Sequence, residues 1–453
     1  MFDMCKHGAP AQTDKAWFIE IFQKPKLLPI FKSKLCEYKM IVKLRFFLLL
    51  AGSTLFLFTA GCGKQDRTDD VAQNKSGMVV SLTDKPLAAY QNELLDIAFE
   101  TAAAIPVKPH IKDRSLSQEK VVAASLELDQ PLRALSLIEK IDNWRRGAGY
   151  GDLAFYCARH GYAGEVQQYL DLAVQISESA EGWRRDQIRV KIANTYTWVG
   201  QTRQADQFET GVVDSESGKV AGVKAMIAGE DYFDEQMNAL DALIAPGNFD
   251  IVENALKACT NLFNRFYDDA WRRSLAEEKI KTSWGKLPIF KRVELLTELA
   301  GFALDHADQA KALELVNEAH LFMDSAQWRP EHRIPMISEL VKLRFRAGDR
   351  QKARTDADAL LALFDSQRDK IVNIYRAGAL RPLAEAYQSM GNTTDALTVY
   401  KRAVEEGVEN PNSRPRAEDL SATCCSMALL GVEPDAELWT SIRQINEGLG
   451  DPW

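Results

Sequence analysis

From Asp84 to the C-terminus, apolar residues recur every three or four positions, in segments of roughly 12 to 18 residues broken by Gly, Asn or Asp. Alternation of period two is missing and β-branched runs are few, so the pattern predicts an all-α body. The N-terminal part has a different texture. Lys43 and Arg45 precede an uncharged apolar stretch, Phe46 to Ala60 (FFLLLAGSTLFLFTA), which ends at Gly61 and Cys62. The stretch is shorter than the roughly 20 residues that cross a bilayer as a helix. A basic start, a short apolar run and a small-residue site before Cys62 read as a cleaved export signal, with an uncleaved anchor as the rival reading.

The clearest helical unit begins at Leu380 (LRPLAEAYQSMGNTTDALTVYKRAVEEG). Leu380, Leu383, Ala384 and Tyr387, then Ala396 and Tyr400, fall at the spacing of the tetratricopeptide pattern, with Ala403 one turn later. Small Ala384 and Ala396 allow two helices to approach closely, and Tyr387 and Tyr400 fill the gap to the next unit. Gly391 suits a left-handed helix end, and Thr393 or Thr394 suits the following cap. Worn copies follow the same template at Leu296–Ala319 and Ile337–Ala357, and upstream at Leu153–Ala173 and Ile192–Ala205. Val121, Val122, Ala134 and Ile138 suggest a first copy. Over residues 115–410 the chain resembles the tetratricopeptide repeat family. The resemblance implies an α-solenoid of stacked antiparallel hairpins over 84–453, whose units stabilise one another. Residues 217–250 fit poorly and, with 251–287, read as irregular hairpins; a helix near Ala436–Asn446 caps the stack.

Thr59, Ala60, Gly61 and Cys62 resemble the lipobox of bacterial lipoproteins, with Thr59 where Leu is commoner. That resemblance implies a signal peptide at 40–61 and a lipidated Cys62 as the mature N-terminus. It also implies tethering on the extracytoplasmic side of a membrane. Met40 already begins a complete signal, so 1–39 reads as a mis-called extension, the rival being a long basic region before the apolar run. Residues 62–83 are mostly polar and charged and read as a flexible tether.

Charge narrows the partners. Removing the nine Lys plus Arg and four Asp plus Glu before Cys62 from totals of 56 and 64 leaves a net charge of −13. Such a chain is a poor counterion for phosphate backbones, so no nucleic acid is expected, and the acyl anchor is left as the membrane contact. Cys157, Cys259, Cys424 and Cys425 remain in the body. They show no metal-ligand spacing and read as small buried residues, or as a pairing in an oxidising compartment.

One recurrence lies outside the repeat template. Trp144-Arg145-Arg146, Trp183-Arg184-Arg185 and Trp271-Arg272-Arg273 each begin a helical segment, with Trp328-Arg329 and Tyr375-Arg376 as looser echoes. The first two tryptophans are 39 residues apart and hold one phase. Stacked along a face, these groups could grip acidic peptides, carboxylates or sugar rings. In the plainer reading each Trp staples neighbouring hairpins and the arginines pair with acids such as Asp142 and Asp186. The zincin, nucleophile-elbow, P-loop and dinucleotide motifs do not occur. His110, His160, His306, His320 and His332 lack metal-ligand spacing. The expectation is a non-enzymatic, cofactor-free lipoprotein scaffold binding a protein or peptide in the cell envelope. A carbohydrate-binding lipoprotein and an all-α enzyme acting on envelope polysaccharide are the rivals.

Overall fold

The computed structural model describes residues 81–216 and 218–453. The expectations for 1–39, for the signal segment 40–61 and for Cys62 lie outside them, as does most of the tether. Within the described residues the protein is all-α. Nine helices form an inner series: α2 (Val107–Glu127), α4 (Arg145–Arg159), α6 (Trp183–Trp198), α8 (Lys219–Met226), α10 (Phe249–Arg265), α12 (Ile289–Asp305), α14 (Pro330–Arg346), α16 (Asn373–Ser389) and α18 (Ser413–Leu430). Between them lie α3 (Pro131–Ile138), α5 (Ala163–Ser179), α7 (Thr202–Glu209), α9 (Phe233–Ile244), α11 (Ala270–Ser283), α13 (Gln309–Asp324), α15 (Arg350–Gln367) and α17 (Thr393–Val408). Helix α1 (Ala89–Ala104) precedes the series and α19 (Ala436–Glu447) follows it. Among the described residues no helix is long and apolar enough to cross a membrane.

Each even-numbered helix packs on the next even-numbered one, and nearly every odd-numbered helix packs on the two that flank it in sequence. The α16–α17 unit shows why. Ala384 and Ala396 are fully buried where the helices approach, and Tyr387 and Tyr400 are among the largest fully buried side chains. Both phenols are satisfied, the Tyr387 hydroxyl donating to Asp358 at 2.9 Å and that of Tyr400 lying 2.7 Å from the Ser426 hydroxyl. Gly391 adopts φ +78°, where L side chains are strained, and turns the chain between the helices. The cap residue of α17 is Asn392, without a side-chain cap bond. Thr393 and Thr394 lie inside the first turn, one and two places too late to serve as the cap.

The stretch that fits the repeat template worst keeps its place in the series. Helix α8 has only eight residues and a single-turn 3-10 segment separates it from α9, yet α8 packs on both α6 and α10. Helices α10 and α11 are of ordinary length, with side-chain caps from Asn248 and Asp269. The backbone is non-helical at Lys108 and His110, ahead of the regular part of α2.

The two ends of the series meet. Helix α1 packs on α18 about as extensively as α4 packs on α5, while α18 also touches α2. In the rhythm of the fold α1 therefore stands where the second helix of the last pair belongs, and α19 lies beside α17, α18 and α1. Polar contacts fasten this joint. The Gln91 amide donates to the Ala428 carbonyl at 2.8 Å, Thr101 donates to Asn446 at 2.7 Å, and Arg443 pairs with Glu93 at 2.6 Å. The extensive packings otherwise link helices at most two places apart in sequence, so among the described residues they run as one closed circuit with no extensive packing across it. Ahead of α1, Leu82 is buried, and the Asp84 carboxylate accepts the Leu132 and Arg133 amides at 2.7 and 3.1 Å, capping α3.

The four cysteines of the body are free and buried. Burial pushes the Cys157, Cys259 and Cys425 thiols up to about 12, and Cys424 in the same direction. A thiol held protonated and shielded is a poor nucleophile. Native protein treated with iodoacetamide at pH 8 should yield unmodified peptides at all four positions, and alkylated ones only after denaturation. Rapid native labelling of Cys424 or Cys425 would mean that α18 is not enclosed as described.

Candidate ligand-binding site

The first two Trp-Arg-Arg runs come together. Trp144 stands at the N-cap of α4 and Trp183 is the first residue of α6, and their rings meet edge to face at 5.2 Å and 80°. Gly182 makes the approach possible at φ +55°, with open space around it. Each ring carries its own guanidinium: Arg145 lies 4.7 Å from the Trp144 centroid and Arg184 lies 5.1 Å from that of Trp183. Arg145 also bonds Glu119 of α2. Arg185 turns inward to Asp186 at 3.2 Å, and buried Asp186 takes the Val213 amide at 3.1 Å. Asp142, by contrast, pairs with Arg114 at 3.5 Å and with neither arginine of the first run.

Beside this pair lies a cleft of about 340 Å³ between α4 and α5, lined by Arg146, Tyr150, Leu172, Gln175, Ile176 and Ser179. Gly147, next to Arg146, lets the helices close up: a Cβ there would meet Ile176 of α5 at 2.8 Å and Ile188 of α6 at 2.9 Å. Burial, and then Glu139, raise the Tyr150 phenol above its ordinary range, which keeps it a hydrogen-bond donor. The exposed Arg146 guanidinium stands at the rim. The arrangement offers two indole rings, apolar walls and four polar side chains. A side chain of a bound peptide and a small amphipathic ligand both fit such chemistry.

The third run is elsewhere and differently occupied. Trp271 is the second residue of α11, the second helix of its pair rather than the first, which breaks the phase held by Trp144 and Trp183. The Asp269 cap receives the Trp271 and Arg272 amides at 3.0 Å each. Arg272 bonds Asp269 and lies over Phe266 and Phe233, while Arg273 lies over Tyr267 and donates to its carbonyl at 3.2 Å. Trp271 itself is 62% exposed, 6.0 Å from Phe233. The looser echoes are held by the frame. Trp328 donates its indole N–H to Met323, Arg329 lies 3.9 Å from Glu331, and Arg376 bonds the Ile371 carbonyl, Glu406 and Glu409.

Two features of the surroundings escaped the sequence reading. The first is an arginine at the fourth position of several inner-series helices, bonded back to the connector before it or to the end of the preceding helix. Arg292 reaches Leu287, Arg333 reaches Met323 and Arg376 reaches Ile371, at 2.9, 3.3 and 2.9 Å. Aligning helix starts, rather than aromatic residues, would have found it. The second is a line of ion pairs from one inner-series helix to the next: Glu119 with Arg145, Asp152 with Lys191 at 2.5 Å, Glu253 with Lys291 at 3.0 Å, Lys342 with Glu385 at 3.3 Å, and Arg414 with Asp113 at 3.6 Å. Burial alone would lower the Lys191 pKa, but Asp152 outweighs it and holds the ammonium above its usual range.

Two of the histidines serve as packing rings. His160 stacks on Tyr156 at 4.0 Å and His306 on Tyr267 at 4.3 Å, each phenol donating to an aspartate, Asp129 and Asp308. Among the described residues no group of three or more His, Cys, Asp or Glu is placed to hold a metal ion. No protein-family model matches the chain, and no curated protein matches it.

Proposed function

We propose that the protein is a membrane-anchored lipoprotein scaffold of tetratricopeptide-like repeats that binds a protein or peptide partner in the cell envelope. The observation that carries the reading is the side-by-side order of the helix pairs, each sharing its core with its neighbours. Such a frame presents a long surface whose residues can vary without loss of the core. The Trp144–Trp183 pair and the neighbouring cleft supply an aromatic and basic anchor point on a chain that is acidic overall. Lipidation at Cys62 would tether the body. If the host is a diderm, Gly63 is not the Asp that favours inner-membrane retention, and the periplasmic face of the outer membrane becomes the proposed site.

The test is affinity capture from detergent-solubilised envelopes with the mature chain as bait, followed by mass spectrometry. A recurrent protein partner, lost with Trp144→Ala and Trp183→Ala together, is the expected result. The Cys62→Ser form should move from the membrane to the soluble fraction. Repeated recovery of no protein partner would count against a scaffold, and a Cys62→Ser form that stays in the membrane would count against the anchor.

A further inference from the structure

The surface around Trp271 has a chemistry opposite to that of the first two runs. Tyr232 is 59% exposed and Trp271 still more so, and Met226 at the end of α8 and Ile227 on the connector to α9 leave apolar surface. The two aromatics share one neighbourhood. Trp271 lies against Phe233, the residue after Tyr232, and Arg272 donates to the Glu230 carbonyl at 3.3 Å and lies 3.7 Å from the Glu230 carboxylate. Both arginines of the run are turned back onto the protein, so neither guanidinium projects from the patch. Acid dominates what projects: Glu230, Asp231, Asp234, Glu235 and Asp268 are all exposed, against one exposed base, Arg265, which bonds the Ala228 carbonyl. Exposed rings with an acidic border match a ligand that brings positive charge and apolar surface together.

We infer that this face, built from the α8–α9 connector and the start of α11, docks a basic peptide segment whose lysines or arginines alternate with apolar side chains. The ring faces receive the cation or its aliphatic stem, and the five carboxylates set the sign of the partner. Charge complementarity decides against an anionic bilayer, which the same carboxylates repel. The inference gives a partner chemistry to the binding frame proposed above and rests on that reading. Its assay needs no envelope extract, so the two fail separately.

The experiment measures fluorescence anisotropy of two labelled twelve-residue peptides against the full mature chain, one alternating Lys with Leu and the other Glu with Leu. Binding of the Lys peptide should be at least tenfold tighter than that of the Glu peptide. Trp271→Ala with Tyr232→Ala should weaken it at least tenfold, and Glu230→Gln with Asp231→Asn at least threefold. Leu321→Ala, an isolated exposed residue of α13, should leave it unchanged. Far-ultraviolet circular dichroism melts of each variant confirm folding, which substitutions at such exposed rings should preserve. Equal binding of the two peptides overturns the proposal. So does indifference to the Trp271 and Tyr232 changes, Trp271-dependent binding to phosphatidylglycerol vesicles in place of the peptide, or a Trp271-dependent dimer that excludes it.

Discussion

Leu95→Ala in α1 will destabilise the protein by about 2–5 kcal/mol, the usual cost of emptying a fully buried leucine site, and the loosening will appear at the far end of the sequence. Leu94 and Leu95 are both fully buried, and the helix that carries them is clasped between α2 and α18. In an open row of repeats, damage to the first helix reaches only its immediate successors. Here hydrogen exchange should quicken in the amides of α18 as much as in α2. Leu299→Ala, an equal deletion in α12, should instead quicken exchange in the neighbouring α10, α13 and α14 and spare α18. Unchanged protection of α18 in the Leu95→Ala variant would mean that the circuit does not close in solution.

Asp419→Asn will stabilise the protein at pH 8 and will have little effect near pH 4. Asp419 lies on α18 at the same joint, where Arg381 of α16 and Lys120 of α2 act on it as cations and Glu418 stands beside it. Burial, reinforced by Glu418 and only partly opposed by the cations, pushes its carboxyl up to about 7 from an ordinary value of 3.8. The folded chain therefore holds a proton that the unfolded chain releases between pH 4 and 7. This group favours the fold fully below the lower value, and that contribution drains away as pH rises through the higher one. Asparagine keeps the shape without the charge, so the gain at pH 8 should be on the order of 2 kcal/mol, somewhat less than the full shift implies because the group is partly exposed. Urea unfolding of both proteins at each pH isolates the residue, since carboxylates held low elsewhere, such as Glu277 beside Lys311 and Lys281, cancel in the difference. A variant less stable at pH 8, or a difference that ignores pH, would overturn the assignment.

How much could be read in advance depended on whether a feature leaves a local trace. The α16–α17 unit does: two alanines and two tyrosines at fixed spacing, with a glycine between, encode a close helix crossing and its turn. The meeting of Trp144 with Trp183 was foreshadowed by their common phase, whereas Trp271 shares the tripeptide but begins the other kind of helix. The circuit's closure left a fainter sign. Ala98, Phe99 and Thr101 of α1 and Cys424, Cys425, Met427 and Ala428 of α18 are buried around more than one face. A segment whose polar side is this narrow is one that several neighbours enclose. Which neighbours those are depends on pairing residues more than three hundred positions apart, and nothing in either segment names the other. The charge links between successive inner-series helices were hidden for the same reason, since each acid and its base belong to different units.

The absence of extensive packing across the circuit gives the body the mechanics of a hoop. Pulling its circumference longer must strain interfaces all the way around in concert, so it resists stretch. Squeezing it into an oval asks only for small rotations shared among nine joints, each within the ordinary slack of packed side chains. A load applied at one point of the rim is thereby felt at every other.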